Sequence, residues 1–179
     1  LLQKYFDKTL DGPVGFPEHR RPSHEHLGLT LCPRFSRVNR RTWSYGRGEK
    51  DSLVFEVSES IKLYGLRLFG SYNSNYSVNL ELIDQRRRRT VLSQKGNFTS
   101  VLLTSATGLE YQGFEFFFDV PVDIDGSTKY RVEALISGPD SQRASSYNPD
   151  MGCFTFSSCA SENNGTGVGN GQFSEFLFL

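Results

Sequence analysis

Residues 53–82 read LVFEVSESIKLYGLRLFGSYNSNYSVNLEL, and their apolar side chains recur with a period of two. Leu53, Phe55 and Val57 share one face of an extended segment. Residues 61–69 are apolar on both faces, Ile61 and Leu63 on one, then Tyr64, Leu66 and Leu68, the pattern of a central strand covered on both sides. Tyr76, Val78, Leu80 and Leu82 alternate with Ser77, Asn79 and Glu81, as in a strand with one wet face. Turn formers at 70–75 separate the last two segments.

The same period continues outward. Phe114, Phe116 and Phe118 line one side of a strand, and Tyr130, Val132, Ala134 and Ile136 line the next. Phe154 with Phe156, and Phe176 with Phe178, complete the series. Turn clusters are expected at 119–126, 137–150 and 163–171, and no capped amphipathic stretch reads as a helix. Roughly ten short strands at this spacing predict an all-β protein, an antiparallel β-sandwich or barrel.

The chain has 179 residues, the size of one domain, and can bury a core without staples. Fifteen Phe and 17 Gly against a single Met lean the same way, towards strands and tight turns. With 20 basic and 20 acidic residues the chain lacks the positive excess of a non-specific nucleic-acid binder, and no run is long enough to span a bilayer as a helix. Neither nucleic acid nor membrane is an expected partner. Three cysteines, Cys32, Cys153 and Cys159, argue for reduced thiols in an intracellular setting rather than a disulfide framework. The sequons at Asn75, Asn97 and Asn164 would matter only in a secreted chain.

Residues 1–31 differ from the rest. Gly12-Pro13, Phe16-Pro17 and Arg21-Pro22 break any periodicity, and the stretch is expected to be a Pro-rich lead-in or linker, with the sandwich at 32–179. The first residue is not Met, so the chain is taken as a fragment of a longer protein. His19, His24 and His26 lie in the lead-in, and with Cys32 they fit no ordinary zinc spacing. No metal or cofactor is expected in the domain. A catalytic Cys or Ser would have to borrow a lead-in histidine, and Asp119, Asp123 and Asp125 read better as turn formers than as glycosidase carboxylates. The glycines of 165–171 lack the Lys-Ser/Thr of a phosphate loop and precede a strand-like segment, so they are expected to shape a rim loop. Arg86 to Arg89 form a hairpin tip, a solvated turn or else a nuclear-import or acidic-partner patch. Trp43 is either a core plug or an exposed anchor.

Seven elements in order resemble one family. Cys32-Pro33-Arg34-Phe35 comes first, then Trp43-Ser44-Tyr45, and Asp51-Ser52-Leu53-Val54-Phe55-Glu56-Val57. Gly65-Leu66-Arg67-Leu68-Phe69-Gly70 and Tyr76-Ser77-Val78-Asn79-Leu80-Glu81-Leu82 follow. Tyr130-Arg131-Val132 precedes Asn164-Gly165-Thr166, Gly171-Gln172 and Phe176-Leu177-Phe178. Together they resemble the PHR domain, named for the Pam and Highwire class of giant neuronal ubiquitin ligases. The resemblance implies a jelly-roll-like antiparallel sandwich of about eleven strands, without catalytic residues of its own. It implies a protein-interaction domain, monomeric by itself, the second of two copies in a RING-type E3 ubiquitin ligase whose zinc lies in the distant RING module. Such parents act in axon growth and synapse formation. Their partners would be ligase substrates, an F-box protein and signalling kinases, in the cytoplasm of axon and synapse or in the nucleus. A second group carries one PHR domain after a BTB module and acts as a cullin adaptor, and a carbohydrate-binding sandwich is a further alternative.

On this basis Trp43, Tyr45, Arg47, Tyr72, Asn73, Asn164, Thr166 and Gln172 are the expected surface contacts. Gly65, Gly70, Gly165, Gly169 and Gly171 are the backbone positions expected to shape that surface. Gly70→Glu or Gly169→Glu is expected to abolish partner binding.

Overall fold

The computed structural model describes residues 28–46, 48–160 and 163–179. The three lead-in histidines and Arg47 lie outside them. Among the described residues there are thirteen strands. They are β1 (Thr30–Pro33), β2 (Phe35–Trp43), β3 (Asp51–Val57), β4 (Ile61–Phe69), β5 (Asn75–Asp84), β6 (Arg89–Thr99) and β7 (Val101–Thr104), followed by β8 (Glu110–Ile124), β9 (Tyr130–Ser137), β10 (Ser141–Tyr147), β11 (Phe154–Ser158), β12 (Asn170–Gly171) and β13 (Glu175–Phe178). Pairing is antiparallel throughout. Two five-stranded sheets, in the orders β1-β13-β4-β8-β7 and β11-β3-β9-β5-β6, pack face to face as an all-β sandwich.

The period-two residues supply the core. Leu53, Phe55 and Val57 from β3 and Val78, Leu80 and Leu82 from β5 meet Leu63, Leu66 and Leu68 from β4 and Phe114, Phe116 and Phe118 from β8. Phe55 sits among Tyr130, Phe154 and Phe176, with ring centroids 5.2–5.9 Å apart in offset and edge arrangements. β4 is central in its sheet, as its two apolar faces predict.

Its second face is covered by a third sheet, in the order β12-β10-β2. Phe35 and Ala144 from that layer pack on Phe69 and Tyr111. Neither strand was expected. β2 is arginine-rich and β10 serine-rich, and 137–150 had been assigned to a turn. A small sheet that packs through a few residues needs little apolar alternation.

Residues 119–124 also belong to a strand rather than a turn, because β8 runs on to Ile124. The turn formers still leave a mark. Leu63 pairs with Val122 but Gly65 with Phe117, so 118–121, with Pro121, bulge out of the ladder. β7 covers β8 only to Gly113. Beyond it the Gln94 amide closes the open edge, donating to the Phe117 carbonyl at 2.9 Å and accepting from the Asp119 N–H at 2.9 Å.

The outer face of the first sheet also buries charge. Arg67 lies between its cross-strand neighbours Glu175 and Glu115, at 2.8 Å from each. Tyr111 and the Ala106 N–H donate to Glu175, and Arg67 reaches the Thr104 carbonyl, so the β7–β8 turn caps the cluster. A buried ion pair persists only when its remaining valences are met in this way.

Candidate functional site

At one end of the sandwich the β2–β3 connection, the β9–β10 turn and the glycine-rich loop 163–171 are tied together by a polar network beneath the surface. Asp51, the first residue of β3, is fully buried. Its carboxylate accepts from Thr166 Oγ1 at 2.6 Å and, at 3.4 Å each, from Trp43 Nε1 and Asn164 Nδ2. Burial pushes its pKa up to about 6, while those three donors pull it back down. Thr166 Oγ1 also accepts from the Gln172 N–H. The Gln172 amide donates to Ser141 Oγ, which shares a 2.6 Å hydrogen bond with the Tyr45 hydroxyl. Asn163 behaves as an extra peptide unit, accepting from Ser52, Gly165 and Thr166 N–H groups and donating to Ser52 and Thr166 carbonyls.

Arg34 holds the other side of the loop. It is buried, has no carboxylate partner among the described residues, and its guanidinium donates to the carbonyls of Gly167, Gln172 and Phe173 at 2.7–3.0 Å. It also lies over the rings of Phe35 and Phe156. Burial lowers its pKa to about 9. The bonds to Gln172 and Phe173 accompany a left-handed Phe173 at φ +52, a conformation that a bulky residue adopts only under constraint.

Four expected surface contacts are therefore internal. Trp43 and Tyr45 are 6% and 8% exposed, Thr166 3% and Gln172 0%. Trp43 is a core plug, bonded to Asp51 and covered by Gly165 and the Arg143 guanidinium. Asn164 is half-buried and bonded to the Ser44 carbonyl, whereas Tyr72 and Asn73 are exposed on the β4–β5 turn. That turn joins the rim through the Gln142 N–H to Gly70 carbonyl bond and the Tyr45–Tyr76 ring contact.

The glycines also divide. A Cβ on Gly65 would strike the Phe116 carbonyl, one on Gly70 would strike Ser100, and Gly165 and Gly171 have φ of +107 and +104. Gly169 is exposed, with open space where its Cβ would go, so nothing in the packing requires glycine there.

What the rim presents is a depression of about 560 Å³ lined by Thr42, Ser44, Gly46, Glu49, Asn164 and Gly165, with the edge of Trp43 at its side. It is polar and shallow, and side-chain amides, hydroxyls and backbone meet there on a fixed frame. Elsewhere the buried thiol of Cys32 has its pKa pushed up to about 12, and that of Cys153 is raised, so neither is poised as a thiolate nucleophile. Asp119, Asp123 and Asp125 bind Gln94, Lys62 and Arg87 respectively.

A model of the PHR domain family matches residues 33–179. The match spans the glycine-rich loop together with Arg34 and Asp51, the two charges that hold it. The chain belongs to the PHR domain family. This PHR domain is 32% identical over 173 residues to BTB/POZ domain-containing protein 6-B of Danio rerio, covering 90% of the chain and 34% of the relative. It is 31% identical over 183 residues to human BTB/POZ domain-containing protein 6, covering 97% of the chain and 32% of the relative. Human BTB/POZ domain-containing protein 3 is 29% identical over 173 residues, covering 90% of the chain and 31% of the relative. The chain thus spans about a third of the length of these curated relatives.

Asp51 and Arg34 stand inside two of the segments that carry the family resemblance, yet sequence reasoning assigned them no role. Their signal was slight: Arg34 is a charge between Pro33 and Phe35 where β1 meets β2, and Asp51 a charge beside Lys50 and Ser52 at the start of β3. It indicates burial only when something is known to cover it.

Proposed function

We propose that this PHR domain is a non-catalytic protein-recognition module and that its glycine-rich rim is the docking face. The observation that carries the proposal is the buried network of Arg34, Asp51, Asn163 and Gln172, which holds a surface loop rigid without presenting reactive groups. A pre-ordered loop loses little entropy on binding. The outward groups are Ser44, Glu49, Asn164, Tyr72 and Asn73, and the partner they suit is a polar protein surface. Burial of Trp43 and Tyr45 leaves Tyr72 as the one exposed ring among the expected contacts, on the β4–β5 turn rather than in the depression, which disfavours the carbohydrate reading.

The BTB/POZ relatives favour a parent in which a BTB module precedes the PHR domain and links a bound protein to a cullin-type ubiquitin ligase. The giant RING-type ligase of axon and synapse, with its F-box and kinase partners and its own zinc, is the second context. It rests on the seven-element resemblance alone. We infer a cytoplasmic location in either context.

The test is affinity capture with the wild-type chain and with Gly169→Glu, whose site is exposed and sterically free. Proteins recovered by the wild type should be lost with the variant while its melting temperature is unchanged. Equal recovery would rule the rim out. Reading the transcript upstream for a BTB module distinguishes the two parents.

A further inference from the structure

A second surface lies away from the rim, at the other end of β5 from Tyr76, and the rim does not depend on it. We propose that the β5–β6 hairpin and the open edge of β6 bind an extended acidic segment of a partner protein, added as a further strand. β6 is eleven residues long and terminal in its sheet: β5 pairs one side, no strand among the described residues pairs the other, and with Gln94 turned to the β8 backbone the free stretch of that edge is the part nearest the hairpin. An open strand edge is a row of unused donors and acceptors, the docking mode of extended peptides.

The hairpin supplies the charge. Asp84 bonds the Arg87 N–H and its guanidinium, and Arg87 also reaches Asp125, so this one arginine is consumed in building the turn. Arg86, Arg88 and Arg89 are exposed and make no ion pair or side-chain hydrogen bond among the described residues. Lys129, bonded through its carbonyl to the Gln85 N–H, and Lys95 on β6 add to the same side. Arg88 takes a left-handed φ of +51, where glycine or asparagine would fit with less strain.

Charged edges also keep copies of a protein apart. Here, however, the free guanidinia cluster at the hairpin, from Arg86 to Arg89 at the first position of β6, rather than along the edge. The chain's net charge is zero and Asp125 takes up Arg87, so the positive patch is limited to a few side chains and suits a short acidic segment better than an extended polyanion such as RNA or an anionic bilayer. A short acidic segment that lays its backbone on β6 and its carboxylates on the three arginines meets both features. Arginine forks suit such carboxylates.

The test uses the 179-residue chain and a short fluorescein-labelled peptide of alternating valine and threonine that ends in a run of glutamates. It is compared with a copy ending in lysines and a copy N-methylated on alternate amides. Anisotropy should show saturable binding of the glutamate peptide alone, with NMR amide shifts confined to residues 86–99. The triple variant R86S/R88G/R89S should melt like the wild type and weaken binding by about tenfold or more. No binding of the glutamate peptide would overturn the proposal, as would equal binding of the lysine or N-methylated copy or shifts centred on the rim. Tighter binding of duplex RNA or of phosphatidylserine vesicles through the same arginines would overturn the choice of a protein partner.

Discussion

Replacing Gly171 with alanine tests whether the rim is a built frame or a loose loop. Gly171 has φ +104, and a Cβ there would lie 2.6 Å from the Thr166 backbone Cα and against Thr166 Oγ1. An L-residue at positive φ costs about 1–2 kcal/mol. Displacing Thr166 strains its bonds to Asp51 and to the Gln172 N–H, and a buried polar group left unpaired costs about 1–3 kcal/mol. The sum is about 2–5 kcal/mol, which at ~2–4 °C per kcal/mol for a chain of this length lowers Tm by about 4–20 °C. Gly169→Ala, on the same loop with an unobstructed Cβ, should change stability by no more than about 0.5 kcal/mol. Thermal unfolding of both variants, followed by circular dichroism and by Trp43 fluorescence, gives the comparison directly. A Gly171→Ala protein that melts with the wild type, or a Gly169→Ala protein that melts as low as it does, would refute the frame.

Further outcomes follow from the buried charges and the Gln94 plug. Asp51 titrates near pH 6 when folded against an ordinary 3.8, so the folded state holds the extra proton between those values. Keeping it charged at pH 7 therefore costs about 3 kcal/mol, and its contribution improves as pH falls towards 4. Trp43 is the only tryptophan and donates to Asp51, so its single indole N–H resonance should shift with a midpoint near pH 6, and a flat profile from pH 5 to 7 would count against this. Arg34→Lys keeps the charge but cannot span the carbonyls of Gly167, Gln172 and Phe173, and denaturant titration should show a loss of about 1–3 kcal/mol. Gln94→Glu can still accept from the Asp119 N–H but cannot donate to the Phe117 carbonyl, so at neutral pH it should destabilise by about 1–3 kcal/mol, more than Gln94→Met of similar shape.

The loop of a PHR domain is thus held by groups that a surface inventory would miss. Arg34 and Asp51 carry opposite charges, yet neither bonds the other. Arg34 is spent on loop carbonyls and Asp51 on side-chain donors. Substitutions at Thr166 or Gln172 that weaken partner binding would therefore act by releasing the loop rather than by deleting a contact.

Alternation of Leu53, Phe55 and Val57, of Val78, Leu80 and Leu82, and of the phenylalanines of β8 was enough to establish an all-β sandwich or barrel from the chain alone, and the family resemblance chose the sandwich. Period-two burial is a local property, since each side chain's face follows from its neighbours two residues away. The two apolar faces of 61–69 even placed β4 at the centre of a sheet. What only the tertiary structure decided is which polar residues are inside. Trp43, Tyr45, Thr166 and Gln172 looked like rim contacts, while Arg34, Asp51, Arg67 and Glu175 looked unremarkable. All eight are buried, because a third sheet of low apolar content, the β7–β8 turn over Arg67 and Glu175, and a loop more than a hundred residues from Arg34 and Asp51 close over them. Burial of a polar group depends on what covers it and satisfies its hydrogen bonds, and its sequence neighbours carry no record of either.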